Sequence, residues 1–226
     1  MTDSRRRIGL LVPSSNTVME PDFWRHVPSN VSVLTARMFL EDVTVAAEAR
    51  MLDEFALPAA RDLATARPEA VVFGCTSAGA LRGNDYDERL CRDISEVTGV
   101  PTLSVIGSAR AALKQAHARR IAVLTPYTDA VSGRVARSLE DDGFVVTCLS
   151  GLGITSNREI AEVAPEAIAA LARARLGPAD ADAWFISCTN FRAMEAIPLL
   201  RAASAKPILT SNQAALDAVL AALGRL

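Results

Sequence analysis

The sequence predicts an α/β protein made of two similar half-domains, and three observations carry that prediction. Short apolar runs alternate with longer stretches whose apolar residues recur at helical spacing. The short runs are apolar throughout rather than alternating, the pattern of a parallel sheet covered on both faces. The order of segments in the first half then returns in the second.

Taken in order, RIGLLV reads as the first strand. The basic triplet Arg5–Arg7 before it reads as a solvated flank rather than a binding patch. VSVLTA is the second strand, AAEARMLDEFALPAARDLA a helix, and EAVVFGC a third strand that ends on Cys75. DYDERLCRDISEV is helical, TLSVI a strand, and SARAALKQAH helical again. The cycle restarts with strands RRIAVLT, GFVVTCL, DAWFISC and KPILT. Between and after them come the helical patterns DAVSGRVARSLEDD, PEAIAALARARL, FRAMEAIPLLRAA and NQAALDAVLAAL.

The repeat can be aligned. RIGLLVPSSN matches RIAVLTPYTD, EAVVFGCTSAGAL matches DADAWFISCTNFRAM, and VPTLSVIGSARAAL matches AKPILTSNQAALDAV. Pro13 to Cys75 and Pro126 to Cys188 span the same 62 positions. The expected division is residues 1–106 plus the C-terminal helix region 210–226 as one half and 107–209 as the other, with a crossover near residues 106–119. Two halves facing one another bring the carboxyl ends of their strands together, which is where open parallel sheets bind ligands.

Composition narrows the class. In 226 residues, 50% are hydrophobic and 22% charged, and 24 Lys+Arg against 26 Asp+Glu leave a net charge of −2. That balance has no electrostatic footprint for nucleic acid or an anionic membrane. No apolar stretch reaches the roughly 18 residues of a membrane span, and MTDSRRRIGLLVPSSN has no signal-peptide core. The expectation is a cytoplasmic protein with reduced thiols. Its four cysteines and two histidines have no zinc-like spacing, so no metal site is expected.

Cys75 and Cys188 close apolar runs at equivalent repeat positions, and each is followed by threonine and a second polar residue. A thiolate is a competent nucleophile and base, and a strand-to-helix turn favours negative charge. Thr76, Ser77, Thr189 and Asn190 add neutral donors that suit a carboxylate or a developing enolate. Cys91 and Cys148 lack such neighbours and read as packing residues. The Pro turns place Ser14, Ser15 and Asn16 in one half and Tyr127 and Thr128 in the other, while ITSNREI contributes Asn157. Ser211 and Asn212 read first as helix N-cap candidates.

The set VPSSNT, GCTS, LTPY, the Asn of SNREI and SCTN resembles the maleate cis-trans isomerases of the aspartate/glutamate racemase superfamily, across nearly the whole chain. The resemblance implies two Rossmann-like half-domains with pseudo-twofold symmetry, an active site between them, no cofactor and a homo-oligomer, dimer or tetramer. It assigns catalysis to Cys75 and Cys188. A small dicarboxylate would be held by Asn16, Tyr127 and Asn157, with Ser14, Thr76, Ser77, Thr189 and Asn190 beside them. Related arylmalonate decarboxylases keep only the second-half cysteine, so Cys75 argues against that activity. Racemases of the superfamily usually carry Cys-Asn-Thr in the first half and Cys-Thr followed by His or Glu in the second, and CTS and CTN depart from both. The chain departs from the isomerase pattern at VMEPDFW, with Pro21 and Asp22 where Thr-Glu is expected.

Three functions fit paired thiols flanking one small acid. In the first, thiolate addition to a cis-alkene, bond rotation and elimination yield the trans isomer. The second is two-base racemisation next to a carboxylate. The third is silent binding of a carboxylate by a sensor.

Overall fold

The computed structural model describes residues 5–202 and 204–224. Strands β1 (Arg6–Pro13), β2 (Val31–Met38), β3 (Ala70–Phe73) and β4 (Thr102–Ser104) form one parallel sheet in the order β2-β1-β3-β4. Strands β5 (Arg120–Thr125), β6 (Val145–Gly151), β7 (Ala183–Ile186) and β8 (Ile208–Thr210) form a second in the order β6-β5-β7-β8. The two orders are the same, so the repeat read in the sequence is a repeat of topology. The central strands β3 and β7 are buried along their whole length, as uniform apolar runs require.

The helices are α1 (Met19–His26), α2 (Val45–Arg50), α3 (Ala56–Ala64), α4 (Thr76–Ala80), α5 (Asn84–Thr98), α6 (Val105–Gln115), α7 (Asp129–Glu140), α8 (Asn157–Glu162), α9 (Pro165–Leu176), α10 (Ala193–Arg201) and α11 (Ser211–Leu223). The helix after the last strand of each half crosses to the other. Ile106, Ala109 and Leu113 of α6 pack in the core of the second sheet. Ala215, Leu216, Val219 and Leu223 of α11 pack with Ile8, Leu10 and Val72 of the first. Arg6 also donates to the carbonyl of Leu223 at 2.9 Å.

Several elements differ from the sequence expectation. TLSVI is a strand only to Ser104, because the Ser104 hydroxyl accepts from Gly107 N at 3.0 Å and caps α6, so Val105 and Ile106 open a helix. Thr210 caps α11 in the same way, accepting from Gln213 N at 3.2 Å. Ser211 and Asn212 are therefore not the cap, and their side chains turn inward. The long helical pattern beginning at Ala46 is interrupted by a π-helical turn, Met51–Phe55, between α2 and α3. Helices α1, α4 and α8 are absent from the sequence expectation because all are eight residues or shorter, too brief for a periodic pattern. Ala203, the end of the FRAMEAIPLLRAA pattern, and the chain ends 1–4 and 225–226 lie outside the described residues. Among the described residues no helix is long and apolar enough to cross a membrane.

Candidate active site

Four strand ends build the site. Asn16 follows β1, Cys75 follows β3, Tyr127 follows β5 and Cys188 follows β7. They border a cavity of about 10 Å³, room for a single water molecule. Ser77, Asn157, Thr189 and Asn190 complete its polar wall, and Pro13, Leu40 and Val43 its apolar one. Both cysteines of the repeat thus reach the same hollow from opposite halves. Cys75 is 5% exposed and Cys188 4%, and both are free thiols.

Each sulfur is set by its turn. Gly74 N donates to Leu11 O at 2.7 Å, and a Cβ there would meet Leu11 O and Met19 Sδ at 2.8 Å. Glycine therefore lets the end of β3 lie against β1 and α1, which fixes Cys75 as the residue entering α4. Cys188 has φ = +110°, a conformation that strains a side chain and persists only when neighbours hold it. Here its N–H donates to Ser211 Oγ at 3.0 Å, and Asn190 N donates back to its sulfur at 3.3 Å.

The turns of the two halves are stitched by buried hydrogen bonds, which satisfy polar groups that burial would otherwise penalise. Asn16 Nδ2 donates to Thr189 Oγ1 at 3.0 Å, while its Oδ1 accepts from Val18 N and Met19 N, opening α1. Thr189 Oγ1 donates to Gly74 O at 3.0 Å. Asn190 Oδ1 accepts from Thr17 N at 2.8 Å, and its Nδ2 donates to Asn157 O at 2.6 Å. Asn157 Nδ2 reaches Ser15 Oγ at 2.8 Å. A clip closes above them: Val43 N donates to Thr155 O at 2.7 Å, and Asp42 bridges Ser156.

Burial dominates the electrostatics. It raises the Cys75 thiol far above its usual range, with the Glu48 carboxyl adding to the effect. It pushes Cys188 up to about 12, against the Tyr127 hydroxyl and the Asn190 N–H, which favour its thiolate. Tyr127 is raised as well, first by burial and then by the two cysteines. Both sulfurs rest as thiols, so any thiolate chemistry needs a proton acceptor.

Of the residues singled out in the sequence, Cys75, Cys188, Asn16, Ser77, Tyr127, Asn157, Thr189 and Asn190 line one cavity. Ser14 and Thr76 stand one step behind it. Ser14 Oγ accepts from Leu40 N at 3.0 Å, and Thr76 Oγ1 donates to Ser211 Oγ at 2.9 Å. The divergent Asp22 is buried behind the second-half turn, where Asn212 Nδ2 bridges it (2.8 Å) to Thr189 O (3.0 Å). Leu40, Val43 and Glu48 carry no site signal in the sequence. The first two read as core and the third as one charge in an amphipathic helix.

A family model described as arylmalonate decarboxylase matches residues 8–225. The chain is 30% identical over 233 residues to the maleate isomerase of Nocardia farcinica, covering 96% of this chain and 90% of that protein. It is 28% identical over 219 residues to the arylmalonate decarboxylase of Bordetella bronchiseptica, covering 96% and 90%. Among solved structures, a Pseudomonas putida S16 maleate isomerase mutant with maleate superposes with a TM-score of 0.90 at 25% identity, covering 97% of this chain and 92% of that one. A cysteine-to-serine mutant of the Nocardia farcinica maleate cis-trans isomerase, carrying a covalently bound succinylcysteine intermediate, gives 0.88 at 25% identity, with 97% and 93% covered.

Proposed function

The chain belongs to the arylmalonate decarboxylase family, and within it we propose a cofactor-independent isomerase that converts a small cis-dicarboxylate, maleate, to its trans isomer fumarate. The observation that carries this reading is the pair of thiols, one from each half, on a single cavity otherwise walled by neutral donors and aliphatic groups.

Rotation about a C=C bond is blocked until the π bond is removed. Cys75 first gives up its S–H proton to a neighbouring acceptor. Its thiolate adds to one alkene carbon, and the π electrons move to the neighbouring carbon, where the adjacent carboxylate shares them. Cys188 delivers its proton to that carbon. The resulting succinyl thioether turns about its single bond. Cys188 then takes a proton back, the C–S bond breaks and the trans product leaves. The covalent succinylcysteine of the Nocardia farcinica enzyme supports such an intermediate. Cys188 suits the proton-donor role because its thiolate must persist while the thioether rotates, and Asn190 N–H and Tyr127 favour that thiolate.

Asn16, Ser77, Tyr127, Asn157, Thr189 and Asn190 hold the two carboxylates. Ser14 positions the Leu40 loop, and Thr76 acts through Ser211. A four-carbon diacid is larger than the cavity, so its wall must open for substrate to enter. In this reading residues 1–106 with 210–226 form one half-domain and 107–209 the other. The enzyme works in the cytoplasm as a dimer or tetramer.

The test is to add maleate to the purified protein and follow fumarate by NMR. Wild type should form it, and Cys75→Ala should not. A wild type that yields no fumarate, or an undiminished Cys75→Ala, defeats the reading. Racemisation is the less favoured alternative, and exchange of a substrate Cα–H with deuterated solvent would reveal it.

A further inference from the structure

The isomerisation scheme leaves one ionisable group beside the sulfurs without a task. Glu48, in α2, is fully buried. Its Oε1 accepts the Ser77 hydroxyl in a close hydrogen bond, and its Oε2 has no hydrogen-bond partner among the described residues. Ser77 Oγ in turn lies 3.8 Å from Cys75 Sγ. A buried carboxyl with an orphaned oxygen destabilises a fold, and an apolar side chain of similar size would not. Packing alone therefore gives no reason for an acid here.

We propose that Glu48, acting through Ser77, accepts the Cys75 proton as the sulfur attacks and returns it when the thiolate leaves. The idea rests on the isomerase reading for its purpose, though the proton transfer itself needs no substrate. The S–H proton passes to Ser77 Oγ while the Ser77 proton passes to Glu48 Oε1. The negative charge moves from carboxylate to sulfur, whose electron pair then forms the C–S bond. Elimination runs the same transfers backwards, so no proton is lost or gained. Glu48 is a positioning residue in this scheme, because only Ser77 separates it from the reacting thiol.

The electrostatic setting is consistent with this. Burial raises Glu48 to about 7, the Ser77 hydroxyl opposing it, so near neutrality a large share of the protein carries the carboxylate. The titratable groups facing it are Cys75 on the turn into α4, Cys188 after β7 and Tyr127 after β5, and burial keeps all three protonated there. On its own side, Arg50 pairs with exposed Glu54, and Asp53 pairs with Arg82. Asp87, packed against Gly79 of α4, is bonded to Ser104 and lies near Arg110.

The experiment measures two things between pH 5.5 and 9 in wild type, Glu48→Gln and Ser77→Ala. One is iodoacetamide alkylation of Cys75 without substrate, read by peptide mass spectrometry. The other is kcat/KM with maleate. In wild type both should rise through about pH 7. Glu48→Gln, which fills the same space but takes up no proton, should lose that limb and about 10²-fold in kcat with KM little changed. Glu48→Asp should restore part of the rate. A Glu48→Gln protein that keeps the limb and the rate overturns the proposal. If Glu48→Gln does not fold, the substrate-free alkylation profile of Ser77→Ala decides, since it cuts the chain with the carboxyl in place and no substrate carboxylate to hold. Loss of the limb near pH 7 supports the relay and its retention overturns it. If wild type does not turn over maleate, the isomerase reading fails, and the alkylation profile alone upholds or sinks the relay.

Discussion

The two halves present the same turn to the same cavity and furnish it differently. Cys75 and Cys188 are each followed by threonine, and two positions on stand Ser77 and Asn190. In the first half that residue is a hydroxyl bonded to a buried carboxyl. In the second it turns its main-chain N–H onto the sulfur and its side-chain amide to Asn157. Cys75 has extended backbone at φ −135°, whereas Cys188 is held at +110°. Duplication set where the sulfurs sit, and divergence around them set what each can do. In the proposed scheme the first gives its proton away through a hydroxyl and bonds to carbon. The second protonates carbon, leaving a thiolate that the Tyr127 hydroxyl and the Asn190 N–H favour.

That contrast can be broken at several points. The largest effect is expected for Cys188→Ser, which removes the proton donor but leaves the nucleophile. Steady-state kcat should fall about 10²–10⁴-fold, and a thioether should accumulate on Cys75. Equal loss with no adduct would mean that the two thiols do not divide the work this way.

The carboxyl peculiar to the first half should also show in stability. Folded, Glu48 holds its proton to about pH 7, while the unfolded chain releases it near 4.5. Between these values the unfolded state binds fewer protons. Stability from the protonated carboxyl is therefore full below 4.5 and lost as pH rises through 7. Asp22 and Asp87, also raised by burial, act with the same sign but are common to both proteins compared. Chemical denaturation of wild type and Glu48→Gln should show the variant gaining about 3 kcal/mol relative to wild type between pH 4 and pH 8.5. Parallel curves would place Glu48 in an ordinary environment.

On the second-half side, Tyr127→Phe removes one donor near Cys188. A hydrogen bond to a charged group contributes about 1.5–3 kcal/mol, so kcat should fall about 10- to 100-fold. A smaller effect on kcat than on KM would make Tyr127 a substrate anchor only. The smallest effect tests the scaffold. Gly74→Ala would place a methyl 2.8 Å from Leu11 O and from Met19 Sδ, and should lower stability by about 1–3 kcal/mol in a thermal or urea melt.

Much of this contrast was legible in the chain. The apolar runs that became β1 to β8 and the equal spacing of the two Pro–Cys pairs made the repeat visible, because strand periodicity and turn chemistry are local. Cys75, Cys188, Asn16 and Asn190 stood out as polar residues just past buried strands. Ser104 and Thr210 show where local reading stopped short: Val105, Ile106 and Ile208 look alike as β-formers, and only a capping hydroxyl tells strand from helix. Glu48 was hidden for a different reason. Within AAEARM it is one charge in an amphipathic pattern, and its burial comes from α2 packing on α4, a contact no window of sequence contains. Leu40 and Val43 were hidden likewise, since an aliphatic residue closing a site reads like any residue in the core.

The claim that everything here depends on is the covalent role of the first-half sulfur. The direct measurement is to mix Cys188→Ser protein with maleate, quench it, and map the modified peptide by mass spectrometry. The account predicts the added mass of one maleic acid on Cys75 and on no other cysteine. Fumarate formed by wild type under the same conditions, together with an unmodified Cys75 in the variant, would contradict it.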